Sequence, residues 1–289
     1  MTKKAKIITI TIVLSILALI LILFGAVFCL YRQDVVFIGE RNNTVSITDE
    51  QIVNTAGFKK GRSIFSLDKD RAISNIERKY PYLKVVQIKT VSAIRIEINV
   101  RERYEMYYAY NDTNQTYYVL DEELKVLRIS DVEPTGITKI EVSLLGENNS
   151  DVLGITGNTI VSDFLSNENY RSITYNLFVS MYNTVMIPDG DTNRYVNRDD
   201  IKELVTNVQF AKGYTLLESY DRVVITTSTG FVIDIGKPQD NLEYKVNLCF
   251  SAIDDLKLQG ESKGTIKYTY LENGDERISF IRDNDVDGE

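Results

Sequence analysis

The sequence predicts an α+β protein in which one N-terminal transmembrane helix precedes two domains. An uncharged apolar run covers residues 7–31, behind a short cytoplasmic tail at 1–6. A strand, helix, helix, strand, strand pattern covers residues 35–103, and short strands dominate residues 104–281 before an acidic tail. With 289 residues, 44% hydrophobic and 26% charged, the chain is long enough for two modest domains and an anchor.

The apolar run at residues 7–31 is long enough to cross a bilayer. Its 25 residues reach about 37 Å as a helix, against a hydrocarbon core of about 30 Å. A cleaved signal peptide would have a shorter apolar core, of about 7–15 residues, that ends in small residues. Lys3, Lys4 and Lys6 precede the run, so the positive-inside rule predicts a cytoplasmic N-terminus and extracytoplasmic domains.

Two helices are predicted after the first strand, residues 35–38. Thr48 begins one helix, because its hydroxyl and the Gln51 side chain can cap each other's backbone N–H groups, and Gly57 ends it. The second helix begins at Asp68 and stops before Pro81.

Two strands follow, at residues 83–88 and 93–100. In the second strand, apolar and polar residues alternate, which is typical of a strand with one face in the core and one in water. The apolar residues are Ile94, Ile96, Ile98 and Val100.

The β-α-α-β-β order is that of a POTRA domain, and the residues within it resemble one family closely. The segments 61–68 (GRSIFSLD), 80–86 (YPYLKVV) and 96–103 (IEINVRER) resemble the sequence pattern of the FtsQ/DivIB family of bacterial cell-division proteins. Residues 39–40 and 103–105 depart from the family, which usually has Gly-Asn after the first strand and a proline shortly after the Glu-Arg pair.

The remaining chain predicts a β-rich α+β domain at residues 104–281. Helices are expected at 170–181, 199–208 and 242–256, a loop at 145–158, another loop at 188–198, and strands at 105–110, 115–120, 137–144, 223–227, 231–236, 265–270 and 276–281. The strand, turn, strand, helix order from residue 223 onwards resembles the end of the family's second domain.

Charge is distributed unevenly between the domains. Residues 35–103 hold 13 Lys and Arg against 8 Asp and Glu, whereas residues 104–289 hold 16 against 32. A basic domain beside the membrane would favour an anionic lipid surface, with Lys59, Lys60 and Arg62 as the membrane-proximal basic residues. The alternative is that these charges lie on ordinary solvated faces.

The sequence offers few residues for catalysis. The chain has no histidine, which excludes Ser-His, Cys-His and His-metal sites. Residues 189–200 space oxygen ligands like a calcium-binding loop, but Arg194 stands where the turn needs glycine and Asp200 where glutamate is usual. We therefore expect no cofactor, metal, nucleic acid or small-molecule substrate, and we expect Cys249 to be a buried apolar residue.

The family resemblance implies a function that the residues alone do not. It implies a non-enzymatic, single-pass scaffold of the divisome at the septum, which recruits FtsB/DivIC-like and FtsL-like partners during septal wall synthesis. The alternative is an exported type II membrane enzyme, such as a metal-dependent glycosyltransferase that uses Asp189 and Asp191 as a D-x-D pair.

A partner-binding site is predicted on the last hairpin, residues 265–281. A fold that ends in a strand leaves a sheet edge that can accept another strand, and aromatic residues at such an edge suit this mode of binding. The predicted residues are Tyr268, Tyr270, Ile278 and Phe280. The resemblance points to the same place, because the family's terminal strands hold its small coiled-coil partner. The alternative is that these side chains only pack on the sheet.

Overall fold

The computed structural model describes residues 10–19, 28–39, 46–111, 115–141, 168–211, 222–238, 241–270 and 276–283. The chain divides into two compact units, Met1–Arg103 and Tyr104–Glu289. The predicted loop at 145–158, the turns at 112–114 and 272–275, and most of the acidic tail lie outside the described residues.

The first unit is a three-stranded sheet with two helices. Its elements are β1 (Arg32–Phe37), α1 (Asp49–Ala56), a short 3-10 helix (Ile64–Ser66), α2 (Lys69–Lys79), β2 (Leu83–Ser92) and β3 (Arg95–Glu102). β3 is central, parallel to β1 and antiparallel to β2. This order of elements is the predicted one. Residues 10–19 are helical, but within the described ranges no helix has both the length and the hydrophobicity needed to cross a membrane.

The helices of this unit begin and end where the sequence predicts. Thr48 and Gln51 form the reciprocal capping box of α1, and Gly57 ends it in the left-handed conformation, at φ 74°. Asp68 caps α2 by accepting a hydrogen bond from the backbone N–H of Arg71.

The core of the first unit lies between the helices and the sheet. Ile52 of α1 and Ile76 of α2 are fully buried, together with Ile96 and Ile98 of β3. Ile94 was expected on the same apolar face, and that prediction was wrong. Ile94 lies in the turn between β2 and β3, outside the ladder that the helices cover, and is 46% exposed.

The second unit contains a nine-stranded mixed sheet. Its elements are β4 (Tyr107–Asn111), β5 (Thr116–Leu120), β6 (Val126–Ser130), β7 (Thr138–Glu141), α3 (Glu168–Thr184), β8 (Met186–Asp189), β9 (Thr192–Tyr195), α4 (Arg198–Leu204), β10 (Val205–Ala211), β11 (Arg222–Thr227), β12 (Phe231–Gly236), α5 (Leu242–Leu258), β13 (Gly264–Tyr270) and β14 (Glu276–Ile281). The strand order is β14-β13-β12-β11-β10-β7-β4-β5-β6, and β8 and β9 form a separate hairpin.

Two predictions for the middle of this unit were wrong. The helix expected at 199–208 ends at Leu204, and the chain continues directly into β10, which pairs with β7 and β11. Val205, Thr206 and Val208 are β-branched, so they suit the half-buried surface of a sheet better than a continued helix. The loop expected at 188–198 contains most of the β8–β9 hairpin, whose turn places Gly190 at φ 61°.

The core of the second unit joins the sheet to α3 and α5. Leu177 and Phe178 of α3 are buried in the same cluster as Val246 and Cys249 of α5. The rings of Phe178 and Tyr107 of β4 meet edge to face, with centroids 4.6 Å apart. The apolar stripe that predicts α5 is therefore a core-facing stripe.

Candidate partner-binding and membrane-proximal surfaces

The last hairpin forms one edge of the nine-stranded sheet. β14 pairs only with β13 among the described strands, and β6 lies at the opposite edge. The antiparallel register places Tyr268 opposite Ile278 and Ile266 opposite Phe280. A strand at a sheet edge can pair with another strand through its outward backbone groups.

Most of the predicted partner-binding side chains point into the sheet's core. Tyr268 is 4% exposed, and Ile278 and Phe280 pack partly buried against the same core. The Phe280 ring lies 6.3 Å from that of Phe231, measured between centroids. On the backbone, Tyr270 pairs with Glu276. Tyr268, Ile278 and Phe280 thus hold the edge strand in place against the core.

The exposed residues of β14 are Glu276, Arg277 and Ile281. Arg277 is exposed, and Ile281 is an exposed large apolar residue at 40%. Their spacing puts them on the face opposite Ile278 and Phe280. The sequence predicts Tyr268, Tyr270, Ile278 and Phe280 instead, and the alternation along β14 could have shown that Ile278 and Phe280 share one face, which is the core-facing one.

Gly264 explains how β14 docks so closely at its C-terminal end. A Cβ atom built on Gly264 would lie 2.5 Å from the Phe280 ring and 2.8 Å from the carbonyl oxygen of Ile281. The backbone at Gly264 also has φ 142°, which side chains rarely tolerate. Only glycine allows this approach of the two strands.

Tyr268 also contacts a buried lysine of α5. The Lys245 amine lies 5.0 Å from the centroid of the Tyr268 ring and donates a hydrogen bond of 2.6 Å to the carbonyl of Lys237. Burial, followed by the Glu276 carboxylate, raises the pKa of Tyr268 well above its ordinary value. Tyr268 therefore stays a neutral phenol that anchors the hairpin to the helix.

The three predicted membrane-proximal basic residues lie together on one exposed loop. Lys59, Lys60 and Arg62 are exposed between α1 and the 3-10 helix. The structure adds a contact that the sequence did not predict. Cys29, which was expected inside the membrane span, forms an antiparallel β-bridge with Ser63 of this loop.

Backbone hydrogen bonds extend this bridge on both sides. The N–H of Leu30 donates to the carbonyl of Arg62 at 2.7 Å, and the N–H of Gly61 donates back to Leu30 at 2.8 Å. The Leu30 side chain is 1% exposed in the core of the first unit. Residues 28–31 were missed because their apolar character suits a core strand as well as a membrane span.

The possible calcium loop is held by an ion pair. The Arg194 guanidinium binds both carboxylate oxygens of Asp200, with Nη2 to Oδ1 at 2.9 Å, and its Nε lies 3.6 Å from Asp189. Asp200 also accepts a 2.6 Å hydrogen bond from the backbone N–H of Asn197, which closes the N-terminal cap of α4. A cation from the protein thus occupies the side of Asp200 where an ion would bind.

The ion pair between Arg194 and Asp200 shifts the pKa of both groups. Arg194, and then the Asn197 backbone, hold the pKa of Asp200 below its ordinary value, while Asp200 raises the pKa of Arg194. Asp191 lies at the tip of the β8–β9 hairpin and Asp189 faces Arg194. Within the described ranges, no group of three or more metal-binding side chains is present.

The thiol of the buried Cys249 stays in its protonated form. Cys249 is fully buried on α5, and burial raises the pKa of its thiol to about 12. The thiolate is the nucleophilic form of cysteine, so this side chain is a packing residue. The prediction of a buried Cys249 is confirmed.

Comparison with known proteins identifies the first unit. Residues 42–103 match the family model for the POTRA domain of the FtsQ type. The first unit is therefore a POTRA domain, as its β-α-α-β-β order predicted. The match covers residues 42–103 of a 289-residue chain, and its FtsQ type supports the resemblance to the FtsQ/DivIB family. A search of curated proteins found no match.

Proposed function

We propose that the protein is a membrane-anchored scaffold of the bacterial divisome, which captures small single-span division proteins of the FtsB/DivIC and FtsL types at the septum. The observation that carries this proposal is the FtsQ-type POTRA domain at residues 42–103. The charge, helix and sheet patterns of the chain are consistent with it.

The membrane anchor of this proposal is the apolar N-terminal segment. Residues 28–31 belong to the folded unit, which leaves the uncharged residues 7–27 for the span. A helix of these 21 residues would reach about 31 Å, close to the thickness of a hydrocarbon core. The described part, residues 10–19, is helical and exposes apolar side chains on all its faces, as a lipid-embedded helix does.

The partner site of this proposal is the edge strand β14. A strand from the partner would add to it through main-chain hydrogen bonds, with side chains near Ile281 and Arg277 providing selectivity. Tyr268, Ile278 and Phe280 would contribute by fixing β14 against the core. We therefore assign these three residues a supporting role and place direct contact on the outward face of the strand.

Affinity purification of the full-length protein from dividing cells tests this proposal. We expect FtsB/DivIC-like and FtsL-like single-span proteins to co-purify with it. Ile281→Lys should reduce their recovery roughly tenfold, because charge on a sheet edge opposes strand addition, and a factor of ten is about 1.4 kcal/mol. The matched control is Ile129→Lys on β6, whose side chain is 44% exposed at the other edge. Equal recovery with both variants would exclude β14 as the site.

The enzyme alternative gains no support from the β8–β9 hairpin. Asp189 faces Arg194, whose positive charge would oppose a metal ion at a D-x-D pair. Metal-dependent binding of a nucleotide sugar to the full-length protein, lost in Asp191→Asn, would favour that alternative over the scaffold.

A further inference from the structure

One end of the POTRA domain combines exposed aromatic rings with basic side chains. Phe65 of the 3-10 helix is 75% exposed, and its ring lies 5.3 Å from that of Phe28, measured between centroids. Tyr31 is 73% exposed. Isolated exposed apolar residues are common on proteins, but here they lie on two segments that pair with each other.

Backbone pairing fixes which end of the domain this is. The carbonyl of Phe28 accepts a hydrogen bond of 2.9 Å from the N–H of Ile64, and the carbonyl of Ile94 accepts one of 2.8 Å from Tyr31. The 59–65 loop and the β2–β3 turn therefore both lie beside residues 28–31. These are the first described residues after the proposed span, so this end of the domain follows directly from the membrane.

The charged residues of the 59–65 loop are all basic. Lys59, Lys60 and Arg62 are exposed between Gly57 and Phe65, without an acidic residue in that segment. Nearby, Asp34 is paired with Arg32 at 2.9 Å and with Arg95, and the pairing with Arg32 lowers the pKa of Asp34. The Asp34 carboxylate therefore stays ionised, and its charge is balanced by Arg32 and Arg95. It does not offset the positive charge of the 59–65 loop.

We propose that Phe28, Tyr31 and the 59–65 loop form a contact with an anionic bilayer surface, in which Phe65 inserts between lipids and the lysines bind headgroups. Aromatic rings favour the membrane–water interface, and clustered Lys and Arg favour anionic headgroups. The contact would fix the orientation of the POTRA domain on the membrane. The inference rests on the anchored topology proposed above and deepens it.

A tryptophan reporter tests this contact directly. The chain has no tryptophan, so Phe65→Trp in the full-length protein introduces a single one. The protein would be reconstituted into phosphatidylcholine vesicles with phosphatidylglycerol, in which part of the lipid carries brominated acyl chains that quench tryptophan at short range. We expect strong quenching and a blue-shifted emission.

The matched control is Val86→Trp on the same sheet. Val86 is 47% exposed and lies beside the Val85–Val100 pair, whereas the turn that contains Ile94 follows the Ser92–Arg95 pair. The two ends are about 20 Å apart along the strand at about 3.3 Å per residue. We expect emission from this variant to be unaffected by bromine.

A second comparison tests the role of the basic loop. Lys59→Gln with Lys60→Gln, added to the Phe65→Trp protein, should reduce quenching severalfold in anionic vesicles and much less in vesicles of phosphatidylcholine alone. Arg78→Gln with Lys79→Gln removes the same charge from the exposed end of α2 and should leave quenching unchanged.

The outcomes separate this inference from the proposed function. Vesicle flotation reports the anchor independently of the quenching. Flotation without quenching at Phe65→Trp, or with equal quenching at Val86→Trp, would overturn the lipid contact and leave the anchor in place. A protein that does not float with the vesicles would overturn both.

Discussion

The Arg103 guanidinium lies 3.2 Å from the Glu77 carboxylate, and both side chains are nearly fully buried. Glu77 also accepts a hydrogen bond of 2.9 Å from the backbone N–H of Val85. The pair thus joins the end of α2 to the start of β2 and to the residue that follows β3. Arg103 is the last residue of the Glu-Arg motif by which the sequence resembles the FtsQ/DivIB family.

Breaking this buried pair should destabilise the POTRA domain. Arg103→Gln leaves the Glu77 carboxylate buried without its cation, which we expect to lower the free energy of unfolding by about 3–5 kcal/mol. Chemical denaturation would measure this change. Arg78→Gln, at an exposed position of the same helix, should change it by less than about 0.5 kcal/mol. Similar losses in both variants would contradict a structural role for the pair.

Two neighbouring isoleucines should respond very differently to the same substitution. Ile96 is fully buried and Ile94 is 46% exposed in the turn. Ile96→Asp buries an unpaired carboxylate and should unfold the POTRA domain, at a cost of several kcal/mol, whereas Ile94→Asp should leave it folded. Amide hydrogen exchange in β3 would measure the outcome. Retained protection in Ile96→Asp would show that this strand is placed wrongly.

Acid should weaken the loop that Asp200 holds. Because its folded pKa lies below the ordinary value of 3.8, Asp200 contributes stability that is fully present above that value and is lost as the pH falls through the folded pKa. Asp200→Asn keeps a hydrogen-bond acceptor but removes the charge. We expect the Tm of this variant to be lower at neutral pH, and the difference to shrink below about pH 4. A difference independent of pH would contradict the ion pair.

Gly264 should be intolerant of a side chain. In Gly264→Ala the new Cβ would press on the Phe280 ring, and overpacking of this kind costs about 1–3 kcal/mol in addition to backbone strain. Gly260→Ala is the control, because its φ of 88° is also positive but its Cβ would meet open space. Thermal unfolding should show the larger loss for Gly264→Ala. Equal losses would mean that β14 does not pack where we place it.

The sequence predicts the POTRA domain well because its signals are local. The Thr48 cap, the Gly57 stop and the alternation in β3 each depend on neighbouring residues. The cap and the stop are in the expected place, and the alternation holds from Ile96 to Val100, with Ile94 as the exception. The errors arise where distant contacts decide. The sequence pattern predicts that the helix continues through Val205, but Val205 pairs with Thr227 as part of a strand. Cys29 lies in an apolar run that predicts a membrane span, but it forms a β-bridge with Ser63.

At the candidate partner edge, too, the local features could be predicted from the sequence and the features that depend on distant contacts could not. Its strand, 276–281, is predicted with the observed bounds, but the strand order that puts β14 at the edge depends on pairing across the sheet. The direction of each side chain follows from the position of the core, which is formed by α3 and α5. Sequence alone therefore located the hairpin, and the structure adds that Tyr268, Ile278 and Phe280 face its core.

Site-specific photo-crosslinking in dividing cells tests directly whether β14 binds the partner protein. A photoreactive residue would replace Ile281 on β14, or Ile129 on β6, which are 40% and 44% exposed at opposite edges of one sheet. We expect an FtsB/DivIC-like protein to be captured at position 281 and not at position 129. Capture at position 129 alone, or at both positions equally, would contradict it.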